Sequence, residues 1–149
     1  MDDGACRVYA GPQDDCGDED LARVLRGKTI AVVGLSSDPE KISHRVADYL
    51  VRHGYDVIPV NPFHETIMGR PSYPSVRHIP VPVDIVNVFR RPEEVEPVVE
   101  DAISAGAQSV WMQLQVVNEA AYRRAREAGL CAVMNRCIKV EHRRLMAPG

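Results

Sequence analysis

Residues 34–41 read Gly-Leu-Ser-Ser-Asp-Pro-Glu-Lys and join an apolar run to a stretch of helical period. Gly34 lets backbone come close to a ligand, and Leu35, Ser36 and Ser37 lead toward a helix start whose amide groups can receive an anion. Polar residues also close the later apolar runs. Asn61 and Pro62 follow the second, Arg90 follows Phe89 at the end of the third, Gln113 follows the fourth, and Asn135, Arg136 and Cys137 follow the fifth. On an open parallel sheet these positions share the rim where ligands bind. Trp111, the only tryptophan, sits near the end of the fourth run, where its ring either borders a cleft or packs in the core.

The residue types select among phosphate-bearing ligands. A nicotinamide dinucleotide calls for G-x-G-x-x-G in the first turn and an acid after the second strand to hold the ribose hydroxyls. This turn has a single glycine, and Asn61 stands at the acid's place. Coenzyme A carries a further 3′-phosphate, where a base serves better than a carboxylate, and Lys41, Arg45 and Arg90 are the bases at hand.

The elements that must position these residues follow from periodicity. β-branched runs at 29–34, 56–60, 84–89, 108–112 and 130–134 alternate with helical stretches, the pattern of successive βα units on a parallel sheet. Their near-continuous apolar character predicts helices on both faces. Val46, Leu50 and Val51 mark one helix, and Val95, Val98, Val99, Ala102 and Ile103 mark another between Pro92 and Gly106. A third is expected from Asn118 to Gly129, with flanking helices over 18–26 and 138–146. Pro59 lacks the N–H a central ladder needs, which places 56–60 at an edge. The result is an α/β, Rossmann-like open sheet of about five strands in the order 2-1-3-4-5. Five prolines make Asn61 to Pro82 a surface path, with a short extra edge strand near Tyr73.

A chain of 149 residues suits one domain. The first 20 residues hold seven acids against Arg7 alone, with Gly4, Gly11, Pro12 and Gly17 among them. Residues 1–17 therefore read as a flexible acidic tail and 18–149 as the domain. No Lys/Arg block points to nucleic acid, and no apolar run nears the ~18 residues of a membrane span. Cys6, Cys16, Cys131 and Cys137 show neither close metal pairs nor the density of a secreted disulfide scaffold, which suggests a reducing cytoplasm. Cys131 is expected inside a strand as a small hydrophobe, and Cys137 either packs or contacts a ligand.

The successive stretches VVGLSSDPEK, GYDVIPVNP, DIVNVFRRPEEV, VWMQLQVVNEAA and AGLCAVMNRCIKVEHRRL resemble, in order, the motifs of small single-domain CoA-binding proteins. These are related to the N-terminal domain of the succinyl-CoA synthetase alpha subunit, and the likeness runs from about residue 20 to 146. It implies a Rossmann-like fold that binds CoA through its ADP portion, with Gly34, Ser36, Ser37 and Lys41 at the phosphates. Asn61, Pro62, Phe89 and Arg90 would border the adenosine side. The phosphorylated histidine of the larger synthetases lies in a separate domain, so His44, His53, His64, His78 and His142 do not inherit its role. Three positions depart from the family pattern: Gln115 stands where glycine is usual, Asn135 where aspartate is usual, and Arg45 where a small residue is common.

The reading that results is a non-catalytic module for CoA or acyl-CoA. An acyl-transfer or thioester enzyme using Cys137 or His44 is the alternative from a different class, although no set of nucleophile, base and orienting group shows in the sequence. A third reading is a regulatory or scaffolding subunit, with Gln115 narrowing the pocket and exposed sheet edges pairing two copies.

Overall fold

The computed structural model describes Asp14 and residues 16–146. In chain order the strands are β1 (Thr29–Val33), β2 (Asp56–Val60), β3 (Thr66–Ile67), β4 (Arg70–Pro71), β5 (Ile85–Val88), β6 (Ser109–Met112) and β7 (Cys131–Val133). The helices are α1 (Asp18–Leu25), α2 (Ile42–Arg52), α3 (Val95–Ala105), α4 (Glu119–Glu127) and α5 (Ile138–Leu145). Every apolar run became a strand. They form one parallel sheet in the order β2-β1-β5-β6-β7, which is the 2-1-3-4-5 order expected.

Alternation along each strand sends side chains to two cores. Ala31, Val33, Val86, Val88, Val110 and Met112 meet Val95, Val99 and Ala102 of α3 and Ala121 and Ala125 of α4. Ile30, Val32, Ile85, Trp111 and Val133 meet Leu21, Val24 and Leu25 of α1, Val46, Ala47 and Leu50 of α2, and Ile138 of α5. Asn118 caps α4, its side-chain oxygen accepting the Ala121 N–H at 3.0 Å. Gly106 ends α3 with φ +75°.

Both sheet edges are dressed. On β2, the Pro59 carbonyl accepts from Tyr73 N, Asn61 N donates back to Tyr73, and the Arg70 guanidinium donates to the Val57 carbonyl at 3.3 Å. A residue's N–H and C=O point to the same side of a strand, so Pro59 turns its missing donor away from β1. The extra edge strand near Tyr73 is a single parallel bridge to Val60, and β3 and β4 pair separately as a hairpin.

On β7, the outward carbonyl of Ala132 accepts from the Cys16 thiol at 3.5 Å, and the outward Met134 N–H donates to Asp14 Oδ2 at 2.7 Å. Asp14 also accepts from Arg136 Nε at 2.9 Å and is only 3% exposed. This corrects the boundary drawn at residue 17. Acid content suggested a solvated tail, whereas Asp14 is buried because it satisfies an edge amide and a guanidinium. The rest of the expected tail, residues 1–13 and 15 with Cys6 among them, lies outside the described residues.

Candidate ligand-binding crevice

The carboxyl ends of β1, β5 and β6 open onto a crevice of about 550 Å³. Its first wall is the turn from β1 to α2. Gly34 there has φ +87°, and a Cβ on it would stand 2.2 Å from the Phe89 carbonyl oxygen and 3.2 Å from Arg90 Cδ. The glycine expected to make room for a ligand therefore makes room for the neighbouring strand, and in doing so draws the β1 and β5 ends together. The turn then satisfies itself: Ser36 N donates to Ser43 Oγ, Asp38 N to Ser36 Oγ and Glu40 N to Asp38 Oδ1, each near 3.0 Å. His44 Nδ1 bonds the Ser36 carbonyl at 2.8 Å.

The helix that follows differs from the others. Lys41 is its N-cap and makes no side-chain cap bond, and no acid occupies its first turn. The first turns of α1, α3, α4 and α5 each hold at least one. Negative side chains normally complement the positive helix start and its open N–H groups. Here that end is left to face the crevice, with Lys41, Ile42 and Ser43 among the lining residues.

Phe89 and Arg90 come from the end of β5. Arg90 Nε sits 3.3 Å from Glu94 Oε1 and lines both the crevice and a second hollow of about 370 Å³ bounded by Val33, Val60, Pro62 and Val98. Past β6, Gln113 is 4% exposed and Leu114 58% exposed, and Val116, whose N–H donates to the Gln113 carbonyl at 2.8 Å, lines the crevice as does Cys137.

Of the twelve expected site residues, Gly34, Ser36, Lys41, Phe89, Arg90 and Gln113 line the crevice, and Pro62 lines the adjoining hollow with Arg90. Asn61 braces the rim: its Nδ2 donates to the Leu35 carbonyl at 3.0 Å and its Oδ1 accepts from Phe63 N. Leu35 points into the core with no exposed surface. Trp111 is likewise fully buried, its indole N–H given to the Arg136 carbonyl at 2.9 Å, so it supports the rim from below rather than bordering the cleft. Ser37 lies exposed, and Arg45 faces out on α2, 3.5 Å from Glu40. Ile42, Ser43, Leu114 and Val116 were not foreseen. A leucine set between two glutamines directly after an apolar strand was the signal available in the sequence.

A family model for a CoA binding domain matches residues 28–143, most of the chain and all of the crevice. The chain belongs to this CoA-binding domain family. The domain is 44% identical over 117 residues to the uncharacterized protein YneT of Bacillus subtilis, covering 78% of this chain and 87% of that one. It superposes with TM-score 0.87 on the structure of a hypothetical protein from Pyrococcus horikoshii OT3, at 44% identity over 93% of this chain and 99% of the other. It is also 32% identical over 81 residues to ADP-forming acetate–CoA ligase I of Archaeoglobus fulgidus, matching 54% of this chain and 12% of that enzyme.

Two residues singled out by the resemblance, Gln115 and Asn135, meet at the crevice of this CoA-binding domain. Gln115 has φ +73° and Asn135 φ +64°, both in the left-handed region, and Gln115 N donates to Asn135 Oδ1 at 2.6 Å. Glycine suits the first position because it adopts that backbone at no steric cost. Asparagine tolerates the second and supplies the acceptor that holds the first in place.

Proposed function

We propose that the domain binds coenzyme A or an acyl-CoA through the ADP portion, without catalysis of its own. The observation that carries this reading is the acid-free start of α2, open to the crevice beside Lys41 and Arg90 in a chain of the CoA-binding domain family. An anion placed there gains the helix-end amides and two cations at once. In this reading the pyrophosphate sits at Ile42 and Ser43, and Gly34, Ser36 and Ser37 shape the turn around it. The adenosine lies toward the hollow of Val60 and Pro62, beyond the Asn61 brace, with Lys41 or Arg90 available to the 3′-phosphate. The pantetheine arm crosses Phe89 toward Gln113. Arg45 drops out of the set because it is turned outward onto Glu40.

Among the described residues no hydrogen bond joins Cys137 to a base, and His44 spends Nδ1 on a backbone carbonyl. That favours a binding module over the thioester-enzyme alternative. The cysteine usage accords with a cytoplasmic setting, and a small-molecule ligand requires neither nucleic acid nor membrane. No described helix is long and apolar enough to cross a bilayer.

Calorimetry with CoA and with 3′-dephospho-CoA tests the reading. CoA is expected to bind in the micromolar range and the dephospho compound roughly tenfold more weakly, the value of one charge-assisted contact. Absence of CoA binding at high micromolar concentration rejects the proposal. Equal affinity for the two compounds removes Lys41 and Arg90 from the 3′-phosphate.

A further inference from the structure

Asn87 is an anomaly in the centre of the sheet. β5 is otherwise Ile85, Val86 and Val88, and every residue in it is buried. Asn87 has no exposed surface, and its Oδ1 is sealed from solvent without a hydrogen-bond partner. An orphaned buried carbonyl is destabilising, and a valine of similar width would avoid it. What the asparagine supplies is its Nδ2, which donates to the Trp111 carbonyl at 3.3 Å and to Gln113 Oε1 at 3.1 Å.

Gln113 Oε1 accepts a second bond, from the backbone N–H of Ile138 at 2.9 Å. A backbone amide can only donate, so this contact fixes which end of the Gln113 amide is oxygen. With Oε1 held by α5 and by Asn87, the amide plane is set and Nε2 lies on its other side. Gln113 lines the crevice, and its Nε2 finds no acceptor among the described residues. Unlike Asn87 Oδ1, that atom is not among those shut away from solvent. A side chain 4% exposed thus presents an unused, oriented donor to the cavity.

We infer that Gln113 is a specificity-determining residue, oriented by Asn87 as a positioning residue, and that its Nε2 donates to an uncharged carbonyl on the arm of the bound CoA. The inference rests on the CoA reading above and names the part of the ligand read at the β6 end. After β6 the lining residues Gln113, Leu114, Gln115, Val116 and Cys137 carry no charge, and the basic residues of the crevice are Lys41 and Arg90, at the α2 and β5 ends. An oriented neutral donor on the uncharged side matches a neutral acceptor, an amide or thioester carbonyl, whereas the phosphates find their complement at α2 and the two bases.

The test is titration of wild-type, Gln113→Glu and Asn87→Val proteins with CoA, acetyl-CoA and adenosine 3′-phosphate 5′-diphosphate, which lacks the arm. Glutamate is isosteric and keeps the acceptor that Ile138 and Asn87 use, so the support of α5 stays while the inward donor is lost. Gln113→Glu is expected to weaken CoA about tenfold or more, because the ligand's carbonyl is left unsatisfied, with the armless nucleotide unchanged. Asn87→Val should produce a smaller loss confined to the same ligands, without lowering the melting temperature. A loss with CoA itself identifies a pantetheine amide as the acceptor, and a loss confined to acetyl-CoA identifies the thioester. Equal weakening of all three ligands, or no weakening of any, overturns the inference while leaving the CoA reading intact. Failure of wild-type protein to bind any of the three refutes both.

Discussion

Replacing Gly34 by alanine tests the account of how the rim is built. The added Cβ would have to move from 2.2 Å to at least 3.0 Å from the Phe89 carbonyl oxygen. The adjoining ladder bond, Phe89 N to the Val33 carbonyl at 2.8 Å, would then stretch toward about 3.6 Å and cease to be a hydrogen bond. A left-handed backbone costs an L-residue about 1–2 kcal/mol. The lost bond costs about 1 kcal/mol, and parting two close-packed strands about 1–3 kcal/mol. The expected destabilisation is therefore about 3–6 kcal/mol, a large share of the ~5–15 kcal/mol that holds a domain folded. In a thermal melt this corresponds to roughly 10–20 °C. Gly54→Ala is the control, since Gly54 has φ +92° with nothing within 4 Å of an added Cβ, and it should cost only the backbone term, about 1–2 kcal/mol. Urea denaturation followed by circular dichroism measures both. If Gly34→Ala falls within about 1 kcal/mol of Gly54→Ala, the steric argument is wrong and Gly34 is needed for its φ alone.

Gln115→Gly should raise stability by about 0.5–1 kcal/mol, as relief of the φ +73° backbone outweighs the added freedom of the unfolded chain, and a melt a few degrees higher would show it. His142 gives a pH dependence: burial, and then the charge of nearby His53, hold its pKa below the ordinary 6.5, while Nδ1 keeps a 2.9 Å hydrogen bond with the Tyr49 hydroxyl. The unfolded chain then binds the proton more tightly, so stability is complete above about pH 6.5 and declines as pH falls from there to the folded pKa. Urea midpoints at pH 7 and pH 5 should differ less in His142→Gln than in the wild type.

The sheet was legible because its strands announce themselves twice, by β-branched content and by the turn residues that follow. Pro59 even placed an edge, since a missing N–H has only one tolerable direction. The site was legible as a rim and not as a surface. Read from composition, Gly34 and Leu35 went to the ligand and Trp111 stayed open between cleft and core, whereas in the fold Gly34 lines the crevice while admitting Phe89, and Leu35 and Trp111 fill the core. A strand's last residues face the sheet or the cleft according to register, and composition does not carry register. Asp14 was misplaced for a related reason: an acid beside other acids reads as solvated until a distant amide and guanidinium claim it. Asn87 was visible all along as the one polar residue inside an apolar strand, but its role depends on Gln113 and Ile138, which are 26 and 51 positions away.

The borders of the sheet limit how two copies could meet. Arg70, Tyr73 and the proline at 59 occupy the β2 side, and Asp14 with Cys16 occupies the β7 side, so neither border offers a continuous row of vacant backbone groups to another chain. Joining two sheets into one larger sheet would first require peeling away these residues. Any self-association has to be sought on helix surfaces or at the mouth of the crevice, and removing the amino-terminal residues through Cys16 should be the change that turns a well-behaved protein into one prone to strand-to-strand aggregation.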